Sequence, residues 1–188
     1  MGLEGLRIAI LAENQYEDLE LWYPLLRLRE EGANVTVVGT GSADVYKSKH
    51  GYDVKVDTRV SQARPEQFDA VIIPGGWAPD YMRRYPAMVD FVRGAFSEGK
   101  VIAAICHAGS LLVSAGVLKK KTATCYKSIR DDLVNAGANY VDREVVRDGN
   151  LITSRQPSDL PAFCREIISA LGERRLQPAK QAPQARTG

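Results

Sequence analysis

Four short, almost wholly apolar runs separated by helix-period stretches constrain this chain more than any other feature. The runs are Leu6–Leu11, Val35–Val38, Ala70–Ile73 and Val101–Ile105. Each is the length of a strand and lacks the polar alternation of a sheet with one wet face, so each suits a strand buried on both faces. Between the first two, Asp18–Glu31 places Leu19, Leu21, Trp22, Leu25, Leu26 and Leu28 at helical spacing, and Gly32 follows as a stop. A second helix is expected over roughly 86–98, between Pro86 and Gly99, and a third from about His107 to near Gly116. Farther on, 128–136 reads as helix and 122–126 as strand. A hairpin over 144–147 and 151–154 turns at Asp148-Gly149, and a last helix runs from about Ser158 to Leu171. Residues 45–57 read as a small hairpin excursion, and no internal repeat is present.

Strands alternating with helices predict an α/β fold, a mostly parallel sheet covered on both faces. Ligand chemistry in such folds collects beyond the carboxyl ends of strands. Three places therefore matter: after Leu11, after Ile73 and after Ile105.

Bulk properties fit one domain over 1–171 of the 188 residues, followed by a disordered tail over 172–188 that lacks apolar periodicity. The net charge is +2; the tail by itself carries +3, leaving the domain at −1, near neutral. That balance argues against nucleic acid or an anionic membrane as partner. The apolar run near the N-terminus is too short for a signal-peptide core, and no stretch approaches a membrane span. Three cysteines without CxxC spacing make neither a disulfide framework nor a zinc site, so a reducing, cytoplasmic setting is expected.

Cys106 follows the fourth strand and opens a helix, with small residues Ala104 and Ala108 on either side, the setting of a nucleophile elbow. A helix N-terminus favours thiolate, although a cysteine at a strand end can equally be inert core. Pro74-Gly75-Gly76 closes the third strand, and the amides of Gly75 and Gly76 join that of His107 as candidate oxyanion donors. A plain strand-ending turn explains the same residues. After the first strand, Glu17 and Asp18 suit ordinary dipole compensation at a helix start. Glu20 differs: it sits among Leu19, Leu21 and Trp22, and Pro24 four residues on removes the usual partner of its carbonyl. An inward Glu20 would carry a raised pKa and a proton to exchange. His107 is adjacent to Cys106 in sequence, but pairing between them is a question of geometry.

Taken together, these residues resemble the DJ-1/PfpI superfamily, in particular its PfpI-like intracellular protease branch, over roughly 6–171. The segments that carry the resemblance include Tyr16-Glu17-Asp18-Leu19-Glu20-Leu21, Lys49-His50-Gly51-Tyr52, Pro74-Gly75-Gly76, Ala104-Ile105-Cys106-His107, Ser114-Ala115-Gly116-Val117-Leu118, Asn135-Ala136-Gly137 and Thr153-Ser154-Arg155. The resemblance implies a flavodoxin-like three-layer sandwich of the class I glutamine amidotransferase type, with Cys106 hydrogen-bonded to Glu20 and His107 as base. It implies too that an acid from a neighbouring subunit completes a triad, at the position of Asp80, so a homo-oligomer, dimer or hexamer, is expected. Departures are Cys106-His107-Ala108-Gly109 where relatives continue Cys-His-Gly-Pro, Asp80 in place of the longer Glu, and the bulky Trp77.

The resemblance supports a stress-protective cysteine hydrolase acting on peptides. The alternatives it implies are a glutathione-independent glyoxalase or deglycase-like enzyme acting on a small aldehyde, or a redox-sensing chaperone with an oxidisable Cys106. No cofactor or metal is expected. A glutamine amidotransferase would need a late His-x-Glu, but the histidines are His50 and His107 alone; Gly39-Thr40-Gly41 lacks the rest of a dinucleotide fingerprint. His50 reads as structural or interfacial, and Cys125 and Cys164 as small core residues.

Overall fold

The computed structural model describes residues 2–176. In chain order the elements are β1 (Arg7–Ala12), α1 (Asp18–Glu30), β2 (Asn34–Gly39), β3 (Val45–Lys47), β4 (Asp53–Lys55), β5 (Thr58–Arg59), β6 (Ala70–Ile73), α2 (Ala78–Met82) and α3 (Pro86–Ser97). They continue as β7 (Val101–Ile105), α4 (Gly109–Ala115), β8 (Thr122–Ala123), α5 (Arg130–Asn135), β9 (Asn139–Tyr140), β10 (Val145–Asp148), β11 (Leu151–Ser154) and α6 (Leu160–Leu176).

Seven strands form one sheet in the order β10-β11-β7-β6-β1-β2-β5. Every pairing in it is parallel except β10 with β11, whose connection is the expected Asp148-Gly149 hairpin. The continuous apolar runs are explained by position: β6 and β7 are buried along their whole length, and β1 at every residue after Arg7. Residue Ile10 registers with Val37 on one side and Ile72 on the other. Helices α1 and α6 pack together, as do α3 and α4, giving the flavodoxin-like sandwich.

Several elements differ from expectation. Residues Cys106–Ala108 form a 3-10 turn, so α4 begins at Gly109 rather than His107. The strand expected over 122–126 shortens to β8, because its only partner is the two-residue β9. Helix α2, unforeseen, starts at Ala78 with proline at its second position. The last helix runs on to Leu176, so 172–176 are helical rather than tail; the rest of the expected tail, 177–188, lies outside the described residues. No helix among the described residues is long and apolar enough to cross a membrane.

Candidate functional site

The site is built on a strained turn. Cys106 leaves β7 with φ +62°, a left-handed conformation that a side-chain-bearing residue adopts only under constraint. Buried neighbours supply that constraint: Ala104 and Ala108 are almost fully enclosed, and the Tyr126 N–H donates to the Cys106 carbonyl at 3.2 Å. Cys106 as a whole is 8% exposed and lies on the wall of a pocket.

Glu20 comes from α1 and is fully buried. Pro24 lies within the helix and frees the Glu20 carbonyl from its usual partner, as expected. Its Oε2 accepts the Gly75 N–H at 2.8 Å, while Oε1 is buried without a hydrogen-bond partner among the described residues. Gly75 is what lets acid and thiol meet. A Cβ there would lie 2.5 Å from Glu20 Oε2 and 2.7 Å from Cys106 Cβ, so the hydrogen at this position is the gap through which the two groups share one dry space. Burial pushes the Glu20 carboxyl up to about 8, against the pull of the Gly75 amide.

That shift has a sign that can be measured. A carboxyl whose folded pKa exceeds its unfolded value of about 4.3 holds a proton that the unfolded chain has lost. Stability should therefore fall as pH rises from about 4.5 towards about 8, and Glu20→Gln should flatten this slope. Urea unfolding of both proteins between those limits checks it; parallel pH dependences would mean that Glu20 is ionised throughout.

His107 points back at the nucleophile, with its Nδ1 3.2 Å from Cys106 Sγ. Its Nε2 lies 3.1 Å from Ser128 Oγ. The ring stands between two aromatic side chains, stacked on Tyr126 at 5.0 Å and tilted against Trp77 at 5.9 Å. Burial and the nearby Lys49 ammonium lower its pKa, so the imidazole is neutral at pH 7. Glu17 anchors Lys49 at 3.0 Å and raises its pKa. Glu17, Lys49, Trp77, His107 and Tyr126, with Gly76 and Pro157, line a cavity of about 290 Å³ with Cys106 and Glu20 on its wall.

Two sequence-based expectations fail here. The thiol is not driven toward thiolate: burial, then the charge of Glu20, pushes it up, and the His107 and Gly76 amides oppose this only in part. The macrodipole is weak because a single 3-10 turn separates Cys106 from a seven-residue helix. Acid and thiol instead compete for protons, since a second negative charge in the same dry space is opposed by the first. Gly75 also cannot serve as an oxyanion donor, because its amide is committed to Glu20. Gly76 and His107 are the amides that face the sulfur.

A third expectation, the Cys106–Glu20 hydrogen bond that the resemblance implies, is also replaced: the thiol pairs with His107, and Glu20 Oε1 has no partner among the described residues. Asp80 stands exposed on α2, and both ring nitrogens of His107 already have partners within the protomer. His50 is less isolated than expected, with Nδ1 2.7 Å from Asp18 Oδ2. With Glu17 these two form a group whose ligand atoms lie within 4.8 Å of one another. Its members are already paired, Glu17 with Lys49 and Asp18 with Ser48 and His50, which accounts for the cluster without a metal. Sequence reasoning missed Lys49, Ser128 and Tyr126 as parts of the site. Lys49 sits in an excursion whose fold-back is set by the Tyr16–Ser48 bridge, and Ser128 in a 3-10 turn without periodicity.

The sequence model of the DJ-1/PfpI family matches residues 6–170. Over 166 residues the chain is 46% identical to a Pyrococcus furiosus protein named Deglycase PfpI, a match covering 88% of this chain and 99% of that one. Drosophila melanogaster DJ-1beta has a similar structure, with a TM-score of 0.83 and 34% identity over 91% of each chain. A two-domain Anabaena variabilis protein with DJ-1/ThiJ/PfpI-like and ferritin-like domains gives a TM-score of 0.87 and 44% identity. That match covers 88% of this chain but 50% of the other, so the chain spans half the length of that relative.

Proposed function

The chain belongs to the DJ-1/PfpI family, and from that premise we propose that it is a deglycase-like cysteine hydrolase acting on adducts of small α-oxoaldehydes. The observation that carries the reading is the Cys106 sulfur 3.2 Å from a neutral His107 nitrogen, on the wall of a cavity of about 290 Å³. A cavity that size, with Trp77 and Tyr126 at its sides, suits a three-carbon carbonyl fragment better than a folded-back peptide. A relative named a deglycase points the same way. A peptidase would use the Gly76 and His107 amides at an oxyanion, and both remain available, so it is the confined cavity that favours the small carbonyl substrate.

In this mechanism the thiol keeps its proton until attack. His107 Nδ1 takes the proton as sulfur bonds to the carbinol carbon of the adduct, and the amine leaves with a proton returned to it. A hemithioacetal remains on Cys106. Glu20 in its carboxylate form takes the proton from the carbon bonded to sulfur, giving an enediol. The acid so formed returns that proton to the neighbouring carbon while the hydroxyl proton passes to the neighbouring oxygen, giving a thioester of a 2-hydroxy acid. Water then cleaves the thioester and restores the thiol. No external oxidant is needed, because oxidation of one carbon is balanced by reduction of its neighbour. Lys49, close enough to shift His107, supplies positive charge where oxyanion character develops. Asp80 enters this scheme only as a contribution from a second copy of the chain. The exposed apolar side chains Leu19, Tyr23, Leu26 and Tyr52 favour such self-association.

The test is lactate release from methylglyoxal and from methylglyoxal-treated N-acetyl-lysine, run beside a fluorogenic peptide. Wild type should release lactate, and His107→Ala should lower the rate by about 100-fold or more. The acid limb of the wild-type profile should lie below the ordinary histidine value of 6.5, since the base must be unprotonated and burial lowers its pKa. Peptide cleavage without lactate release would restore the peptidase reading.

A further inference from the structure

We propose that Ser128 is a positioning residue for His107, accepting the Nε2 proton so that Nδ1 faces the Cys106 sulfur bare, and that one protomer thereby holds a complete proton-accepting line. The proposal rests on the reading of Cys106 and His107 given above.

A neutral imidazole carries one proton on one of two nitrogens. Here both nitrogens have partners, Cys106 Sγ at 3.2 Å from Nδ1 and Ser128 Oγ at 3.1 Å from Nε2. Nδ1 can receive the thiol proton only if the ring proton is on Nε2, and that proton needs an acceptor. The Ser128 oxygen is the acceptor within reach. Because Ser128 is exposed, its own hydrogen can go to solvent, leaving a lone pair for the imidazole. After proton transfer the same oxygen still serves, since the imidazolium donates from both nitrogens.

The aromatic neighbours do not do this work. Stacking on Tyr126 and contact with Trp77 fix the plane of the ring but do not distinguish its two orientations related by a flip about the Cβ–Cγ bond. A flip would put carbon against the sulfur. Two in-plane anchors on opposite edges of the ring prevent this, and Ser128 is one of them. The family resemblance leads one to expect an acid at this edge, from Asp80 of a second copy; within the protomer a neutral hydroxyl occupies it. A hydroxyl orients without adding charge, so it leaves the ring easily deprotonated, in keeping with the lowered pKa of His107.

The experiment measures carbamidomethylation of Cys106 by iodoacetamide between pH 5 and 9, by peptide mass spectrometry, together with the ¹⁵N shifts of the His107 ring. Ser128→Ala should slow Cys106 labelling at pH 7 by about 3- to 10-fold, the usual worth of one hydrogen bond. It should also convert a pure Nε2–H spectrum into a mixture of tautomers. Ser128→Thr should restore both. Ser128→Asp should move the acid limb of the profile to higher pH, since a carboxylate stabilises the imidazolium. Wild-type labelling and tautomer retained in Ser128→Ala, with labelling slowed in His107→Ala, would overturn the role of Ser128 and leave the His107 reading standing. Labelling of wild-type Cys106 no faster than that of Cys125 and Cys164 would overturn both. Loss of labelling in Asp80→Asn with none in Ser128→Ala would assign the position to the acid instead.

Discussion

Cys106→Ala is expected to lower lactate release by about 10⁴-fold or more while leaving the fold intact. The size of the loss follows from the role: without sulfur no covalent intermediate forms, and His107 and Glu20 have nothing to pass protons to and from. Folding should survive because alanine meets the same backbone strain at φ +62° that cysteine does, and only one small, partly accessible atom is lost. Rates from a continuous lactate assay and the far-ultraviolet spectrum of both proteins check the two halves. Residual activity within about tenfold of wild type would remove Cys106 from the chemistry.

Gly76→Ala should destabilise the protein by about 3 kcal/mol or more, the largest stability effect expected of a single methyl group here. Gly76 has φ +76°, and a Cβ there would come within 2.5 Å of both the Gln15 carbonyl oxygen and the Glu17 nitrogen, and 2.8 Å of the Tyr16 carbonyl carbon. All three are backbone atoms, so no side chain can swing aside. The same contact is stitched by hydrogen bonds, Trp77 N–H to the Gln15 carbonyl at 2.9 Å and Glu17 N–H to the Gly75 carbonyl at 3.2 Å. These join the loop after β1 to the loop after β6, and thereby fix where α1 presents Glu20. Urea unfolding at pH 6 measures the loss, and a change under about 1 kcal/mol would show that the loops can part without consequence.

Residues that fold by burial were readable in advance, and residues placed by loop geometry were not. The apolar runs that became β1, β2, β6 and β7 announce a doubly covered sheet because nothing else hides both faces of a strand. Glu20 stood out because an acid among leucines, four residues before a proline, has little other reason to be there. Ser128 and Lys49 carry no such mark: each lies in a short irregular segment whose path depends on distant contacts. The direction of the Cys106 shift is hidden from the sequence for a related reason. Local sequence shows the helix end that favours thiolate, but not the depth of burial or the nearness of Glu20, which outweigh it.

The account turns on one neutral histidine drawing a proton from a buried thiol so that sulfur can bond to carbon. Acid quenching during methylglyoxal turnover, followed by peptide mapping, reads this directly. The expected result is a substrate-derived adduct on Cys106, absent from Cys125 and Cys164, whose thiols burial pushes up to about 12. It should form no more slowly than lactate is released, and should be strongly reduced in His107→Ala. Full-rate lactate release with no adduct on Cys106, or an adduct that forms equally well without His107, would contradict it.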